Sequence, residues 1–226
     1  MFFRNRLWFL VLVLLFSVSL PCLADEGFKP VWKVGQHWTI KAQYRDLRLA
    51  KEKWLPPVIW RFHVRGEKKI AGQDCFALHI TPAKKKNLGV QAILYLAKSD
   101  LHLVKSIELF PSRGKPQIHA QQADQSRISP VLSGGSMIPF DLPLFPLSKM
   151  KNKESKSAEV AGEHATTLDG LVFVNPVKQS WTPTEGGFQV ILDDPNGKGK
   201  MVQIWKPGKP WATQTQSPTM KTSLEK

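Results

Sequence analysis

His63 and His79 are the residues whose type and spacing come nearest to chemistry in this chain. Each lies on the polar parity of a stretch that alternates apolar and polar residues, and His37 has the same parity one stretch earlier. Paired strands would set such imidazoles side by side, where they could share a divalent metal. Zinc, however, takes three or four ligands with supporting partners, and no carboxylate is fixed beside these three. The alternative is a row of histidines on a wet, basic face. Cys75 with His79 would be a thiol–imidazole pair, but residues four apart along a strand are separated by about 13 Å. A lone thiol of this kind reads as a sheltered structural cysteine. Ser133-Gly134-Gly135-Ser136 has the glycines of a phosphate loop without its lysine, and Asp193-Asp194 runs into the turn Pro195-Asn196-Gly197. No carboxylate pair is spaced for acid–base work. The sequence therefore assigns no catalytic residue, no metal site and no cofactor, and the chain reads as a non-enzyme.

The elements that would position these residues are strands. Trp32, Val34, Trp38, Ile40 and Ala42 share one parity, opposed by Lys33, His37, Thr39 and Lys41. Val58, Trp60, Phe62 and Val64 oppose Arg61, His63 and Arg65, and Phe76, Leu78 and Ile80 oppose Cys75, Ala77, His79 and Thr81. Such period-two patterns mark strands with one dry and one wet face. Further strands are expected over 90–97, 101–109, 187–193 and 200–206, with a short one over 171–174 before Pro176. One or two helical turns are expected within 46–53. If the second and third strands form a hairpin, their apolar sets share a face only across an odd-length loop. Ile70-Ala71-Gly72 fits, with Lys69 facing Gln73, Glu67 facing Cys75 and His63 facing His79.

From Pro111 to about residue 170 the chain reads as a long irregular excursion, with a lysine-rich stretch over 149–156 taken as a solvated loop. Within it, Met137 to Leu147 carries Pro139, Pro143 and Pro146 among large apolar side chains. Those prolines forbid a helix interior or a central strand. The segment either plugs the sheet or lies as an apolar lid over a cavity, with Phe140 and Phe145 as its aromatic contacts. Trp205 and Trp211 flank Lys206-Pro207-Gly208-Lys209-Pro210, which would clip the chain end to the sheet or sit at a membrane interface. Residues 212–226 are expected to be a flexible tail.

The first 24 residues have the layout of a cleaved secretory leader: Arg4 and Arg6, an apolar run from Leu7 to Leu20, and Cys22-Leu23-Ala24 before Asp25-Glu26. Cys22 as an acylated lipoprotein residue is disfavoured by Pro21 before it. The expectation is a cut after Ala24, a periplasmic address, and one β-domain over 25–211. A net charge of +14 points to anionic partners, an anionic membrane surface or cell-wall polymer, and export makes nucleic acid the least suitable of them.

Val34-Gly35-Gln36-His37-Trp38-Thr39, then Trp60 to Glu67, Gly72 to Ile80, and Tyr95-Leu96 running into Asp100 to Lys105 form a succession of long alternating strands. This succession resembles exported bacterial proteins whose sheets are similar to the half-barrel of the lipoprotein carrier and receptor family, LolA and LolB. The resemblance covers strands and turns over 32–109 and carries no binding residue with it. It implies a curved antiparallel sheet whose apolar concave face holds a lipid-like ligand. The fold class expected is mainly β, a strongly bent antiparallel sheet forming a half-barrel or open barrel from a meander of hairpins. The function expected is non-catalytic binding of an acyl chain or similar amphipathic ligand against Trp38, Trp60, Phe62, Leu78, Phe140 and Phe145. The alternative is an envelope interaction protein with a filled core and a basic face meeting anionic lipid or polymer.

Overall fold

A computed structural model describes residues 29–49, 51–84, 89–112, 115–122, 138–139, 156–166, 172–194 and 199–225. Among them are twelve strands: β1 His37–Tyr44, β2 Val58–Ile70, β3 Gln73–Pro82, β4 Gln91–Ala97, β5 Leu103–Phe110, β6 Gln117–Gln122, β7 Lys156–Thr166, β8 Val172–Thr184, β9 Gly187–Asp194, β10 Gly199–Trp205, β11 Gln214–Gln216 and β12 Met220–Leu224. They form one open antiparallel sheet in the order β6-β5-β4-β3-β2-β1-β12-β11-β10-β9-β8-β7. Each strand pairs with its sequence neighbours except across the β6–β7 connection, and β12 returns to pair with β1. The two ends of the meander therefore meet in the middle of the sheet, while β6 and β7 are its edges.

The alternation read from the sequence sets the dry face. Trp38, Ile40, Ala42, Trp60, Phe62, Val64, Phe76, Leu78, Ile80, Ala92, Leu94 and Leu96 are all buried in one cluster, which also takes Trp181, Phe188, Val190 and Trp205 from the other half of the sheet. A flat sheet could not bring β3 and β9 residues into one core, so the sheet bends about its centre. Val34 is the exception to its parity, at 54% exposure. A tight turn over Lys33–Gln36, with Gly35 at φ 87°, precedes β1 and turns Val34 outward.

The β2–β3 hairpin corrects the expected loop and keeps its consequence. The loop has two residues, Ala71 and Gly72, at φ 47° and 81°. Ile70 faces Gln73, Lys68 faces Cys75 and Glu67 faces Phe76, so the expected Lys69–Gln73 and Glu67–Cys75 pairs do not form. Arg65 is then left over as a β-bulge between the Val64–Leu78 and Gly66–Ala77 pairs. That one extra residue supplies the odd count that the loop lacks, and beyond it His63 faces His79 and Phe62 faces Ile80. The shared dry face required the parity change; it did not fix where the change occurs.

Four other expectations are corrected. The described residues of 46–53 contain no helical turn: the Asp46 carboxylate accepts bonds from the Arg48 backbone N–H and guanidinium. The Asp46 N–H donates to the Lys53 carbonyl at 2.8 Å, and Arg45 bridges to Trp54, so the loop closes as an extension of the β1–β2 ladder. The strand expected to stop before Pro176 runs on to Thr184. Pro176 is tolerated because β8 pairs with β9 only from Lys178 onward, and the proline faces the bulge of β7 after Ala161. The expected excursion contains β6 and β7, with the lysine-rich stretch ending in the first residue of β7. Finally, the expected flexible tail supplies β11 and β12. Ala42 pairs with Thr222, the Glu225 N–H donates to the Thr39 carbonyl, and Met220 and Thr222 are buried.

Candidate functional site

The dry face is an aromatic assembly. Trp38, Trp60, Phe62 and Leu78, the described residues expected to line a site, are 3%, 0%, 0% and 0% exposed and lie in the same cluster. Trp38 and Phe62 are cross-strand partners with ring centroids 5.6 Å apart. Two further tryptophans of the assembly come from outside the strands. Trp211, on the connection between β10 and β11, lies 5.1 Å from Phe62, 6.0 Å from Trp38, 6.0 Å from Trp205 and 6.1 Å from Trp32. Trp32, ahead of β1, packs 5.5 Å from Trp38 and donates its indole N–H to the Pro210 carbonyl at 2.8 Å. The segment around Trp211 is thus tied down at its hub. This agrees with the expected clip, although Trp211 is more central than a clip requires. Ile138 belongs to the same cluster and Pro139 is buried, so the start of the apolar proline segment packs on this face. Phe140 and Phe145 lie outside the described residues, as do residues 1–24, over which a leader cut after Ala24 is expected.

The indole N–H groups of Trp38 and Trp60 are buried on this face and have no hydrogen-bond partner among the described residues. A buried donor without an acceptor costs about 1–3 kcal/mol, and native proteins rarely keep one without a reason. By contrast the Trp205 indole donates to Gln203 Oε1 at 3.2 Å. Gln203 and Gln179 are wholly buried on this face, and Thr215 and Thr222 continue a polar row across β11 and β12 between Gln203 and Ala42. None of these four announced itself in the sequence, because a polar side chain on the dry side of a strand breaks the apolar alternation by which such a face is read.

The opposite face holds the histidines. His37, His63 and His79 form one straight row across β1, β2 and β3. His79 Nε2 lies 3.0 Å from Gln91 Oε1, and its pKa is lowered by burial first, with Arg65 and His63 adding to the shift. Among the described residues no three potential ligands converge on a metal position. The row is a partly buried polar ladder in which a carboxylate is absent and an arginine is near. Cys75 is fully buried on this outer face with Ala97 and Val104, beneath Ile70 and Tyr95. Burial pushes its thiol pKa up, which suits a sheltered residue and not a nucleophile.

No family model, no curated protein and no solved structure matches this chain.

Proposed function

We propose that the protein is a non-catalytic binder of an amphipathic ligand, held on the aromatic face by its apolar chain and by an oxygen that accepts from the Trp38 and Trp60 indoles. The unpartnered indole donors carry this reading. An acyl ester, carboxylate or similar head would satisfy them, and an acyl chain would exploit a face made of Trp, Phe, Leu and Ile. The cover over that face includes Trp32, Ile138 and Trp211, all outside the strands. The same reading places the protein in the cell envelope after loss of its leader, in line with its resemblance to a lipoprotein-carrier half-barrel. A second reading, an envelope interaction protein with a filled core, is favoured by the complete burial of Trp60, Phe62 and Leu78.

Titration with a fluorescent fatty acid separates the two. Binding should be saturable, with energy transfer from tryptophan, and Trp38→Phe with Trp60→Phe should weaken it while the fold survives. No binding by a folded protein would leave the filled-core reading in its place.

A further inference from the structure

The face turned away from the aromatic assembly carries an open groove of about 590 Å³ that runs from β1 across β12 and β11 to β10 and β9. That volume falls within the roughly 300–1,000 Å³ of small-ligand sites. Strand register builds it from two rows. One row is Gln43, Lys221, Gln216 and Val202, each the direct neighbour of the next. The other is Lys41, Ser223, Gln214, Ile204 and Gln189. The rows are graded in the same direction. Cations stand on β1 and β12, Gln214 and Gln216 come between them and the apolar Val202 and Ile204 of β10, and Gln43 and Gln189 add an amide at each end. Among the described residues no carboxylate lines the groove; Glu52 approaches Lys221 Nζ to 4.0 Å from outside it. The Lys221 ammonium also lies 4.1 Å from the centroid of the Trp54 ring, which fixes its position.

We propose that this groove binds an anionic oligosaccharide, a segment of an acidic glycan. Each glutamine amide offers two donors and an acceptor in one plane, which suits the neighbouring hydroxyls of a sugar ring. Val202 and Ile204 suit the C–H face of a ring, and Lys41 and Lys221 suit a carboxylate or phosphate carried on the chain. A lipid head group would leave the amides of Gln214 and Gln216 unused. A nucleic acid would call for more cations than two, because its affinity rests on phosphate neutralisation. The gradient sets the orientation, with the acidic group over the β1–β12 end and an uncharged ring face over β10. The groove opens on the face opposite the aromatic assembly, and the lining residues it shares with the polar row of that assembly are Thr215 and Thr222.

Calorimetric titration of the full chain with trigalacturonate, with neutral maltotriose and with phosphatidylglycerol vesicles tests the proposal. Trigalacturonate should bind saturably and at least tenfold more tightly than maltotriose. Gln214→Ala with Gln216→Ala, both exposed positions, should weaken both sugars at least tenfold. Lys41→Ala should weaken trigalacturonate alone and remove most of its advantage. Far-ultraviolet circular dichroism of each variant confirms the sheet. Absence of trigalacturonate binding, affinities unchanged in the folded variants, or groove-dependent binding of vesicles in place of sugar would overturn it.

Discussion

Replacing Trp60 and Trp205 separately by phenylalanine makes the same chemical deletion at two sites of equal burial, 0% and 1% exposed. Both changes remove part of an indole from the same cluster, so each incurs a cavity cost that depends on how far the surroundings relax. They differ in the fate of a hydrogen bond. At Trp60 the deleted N–H has no acceptor among the described residues, so its loss relieves a desolvation penalty of about 1–3 kcal/mol. At Trp205 the deleted N–H donates to the buried Gln203 Oε1, and its loss forfeits about 0.5–1.5 kcal/mol. The Trp205→Phe variant should therefore be less stable than Trp60→Phe by about 2 kcal/mol or more. In a chain of this size that separates the thermal midpoints by roughly 4–8 °C. Urea unfolding of delipidated protein, followed by circular dichroism with slopes compared, measures the difference. Equal destabilisation of the two variants would mean that the Trp60 indole is satisfied in the unliganded protein, and the argument for a ligand oxygen there would fall.

Three further outcomes follow from local geometry and charge. Ala71 holds φ 47° in a two-residue hairpin loop ahead of Gly72, so Ala71→Asn, which tolerates that region, should raise stability by about 0.5–1 kcal/mol; a lower urea midpoint would refute this. A Cβ at Gly187 would meet the Trp205 carbonyl oxygen at 2.0 Å, a backbone atom that cannot swing away. Gly187→Ala should thus unfold at clearly lower urea than Gly186→Ala, whose Cβ would meet nothing within 4 Å and whose cost is only that of φ +73°. Hydrogen bonds from the Arg48 side chain hold the Asp46 carboxyl down at about 2. Because that folded value lies below the ordinary one, its contribution is complete above the unfolded pKa of about 3.9 and is lost as pH falls toward 2. Asp46→Asn should lack that component, so its stability deficit relative to the parent should shrink between pH 5 and pH 2. A deficit constant over that range would contradict the linkage.

Much of the first half of the sheet was legible because its strands bury one face completely. Trp60, Phe62 and Val64 against Arg61 and His63 admit a single strand orientation, and the His63–His79 pairing followed from parity even though Arg65, not the loop, supplies the odd residue. A bulge and a three-residue loop have the same effect on every side chain beyond them, so periodicity alone cannot separate them. The second half was harder to read for a physical reason. Gln214–Gln216 and Met220–Leu224 are short and polar, and their place in the sheet is set by pairing with β10 and β1, not by apolar content of their own. Lys156–Thr166 carries lysine and glutamate into a strand, and tertiary pairing with β8 overrides that composition. In the candidate site, Trp38, Trp60, Phe62 and Leu78 were legible as one face. The central place of Trp211 and the buried amides of Gln179 and Gln203 were not, since they depend on how the two halves of the sheet bend together.

The central claim is that the aromatic face holds an amphipathic ligand, and the most direct measurement is to look for one. Native mass spectrometry of the protein purified without detergent, followed by solvent extraction and mass analysis of what is released, answers it in a single preparation. The account predicts a stoichiometric lipid-like adduct that is lost on extraction, rebinds when added back, and is depleted in the Trp38→Phe, Trp60→Phe double variant. A protein that carries no adduct, takes up no added fatty acid or phospholipid, and shows the same thermal midpoint with and without them would contradict it.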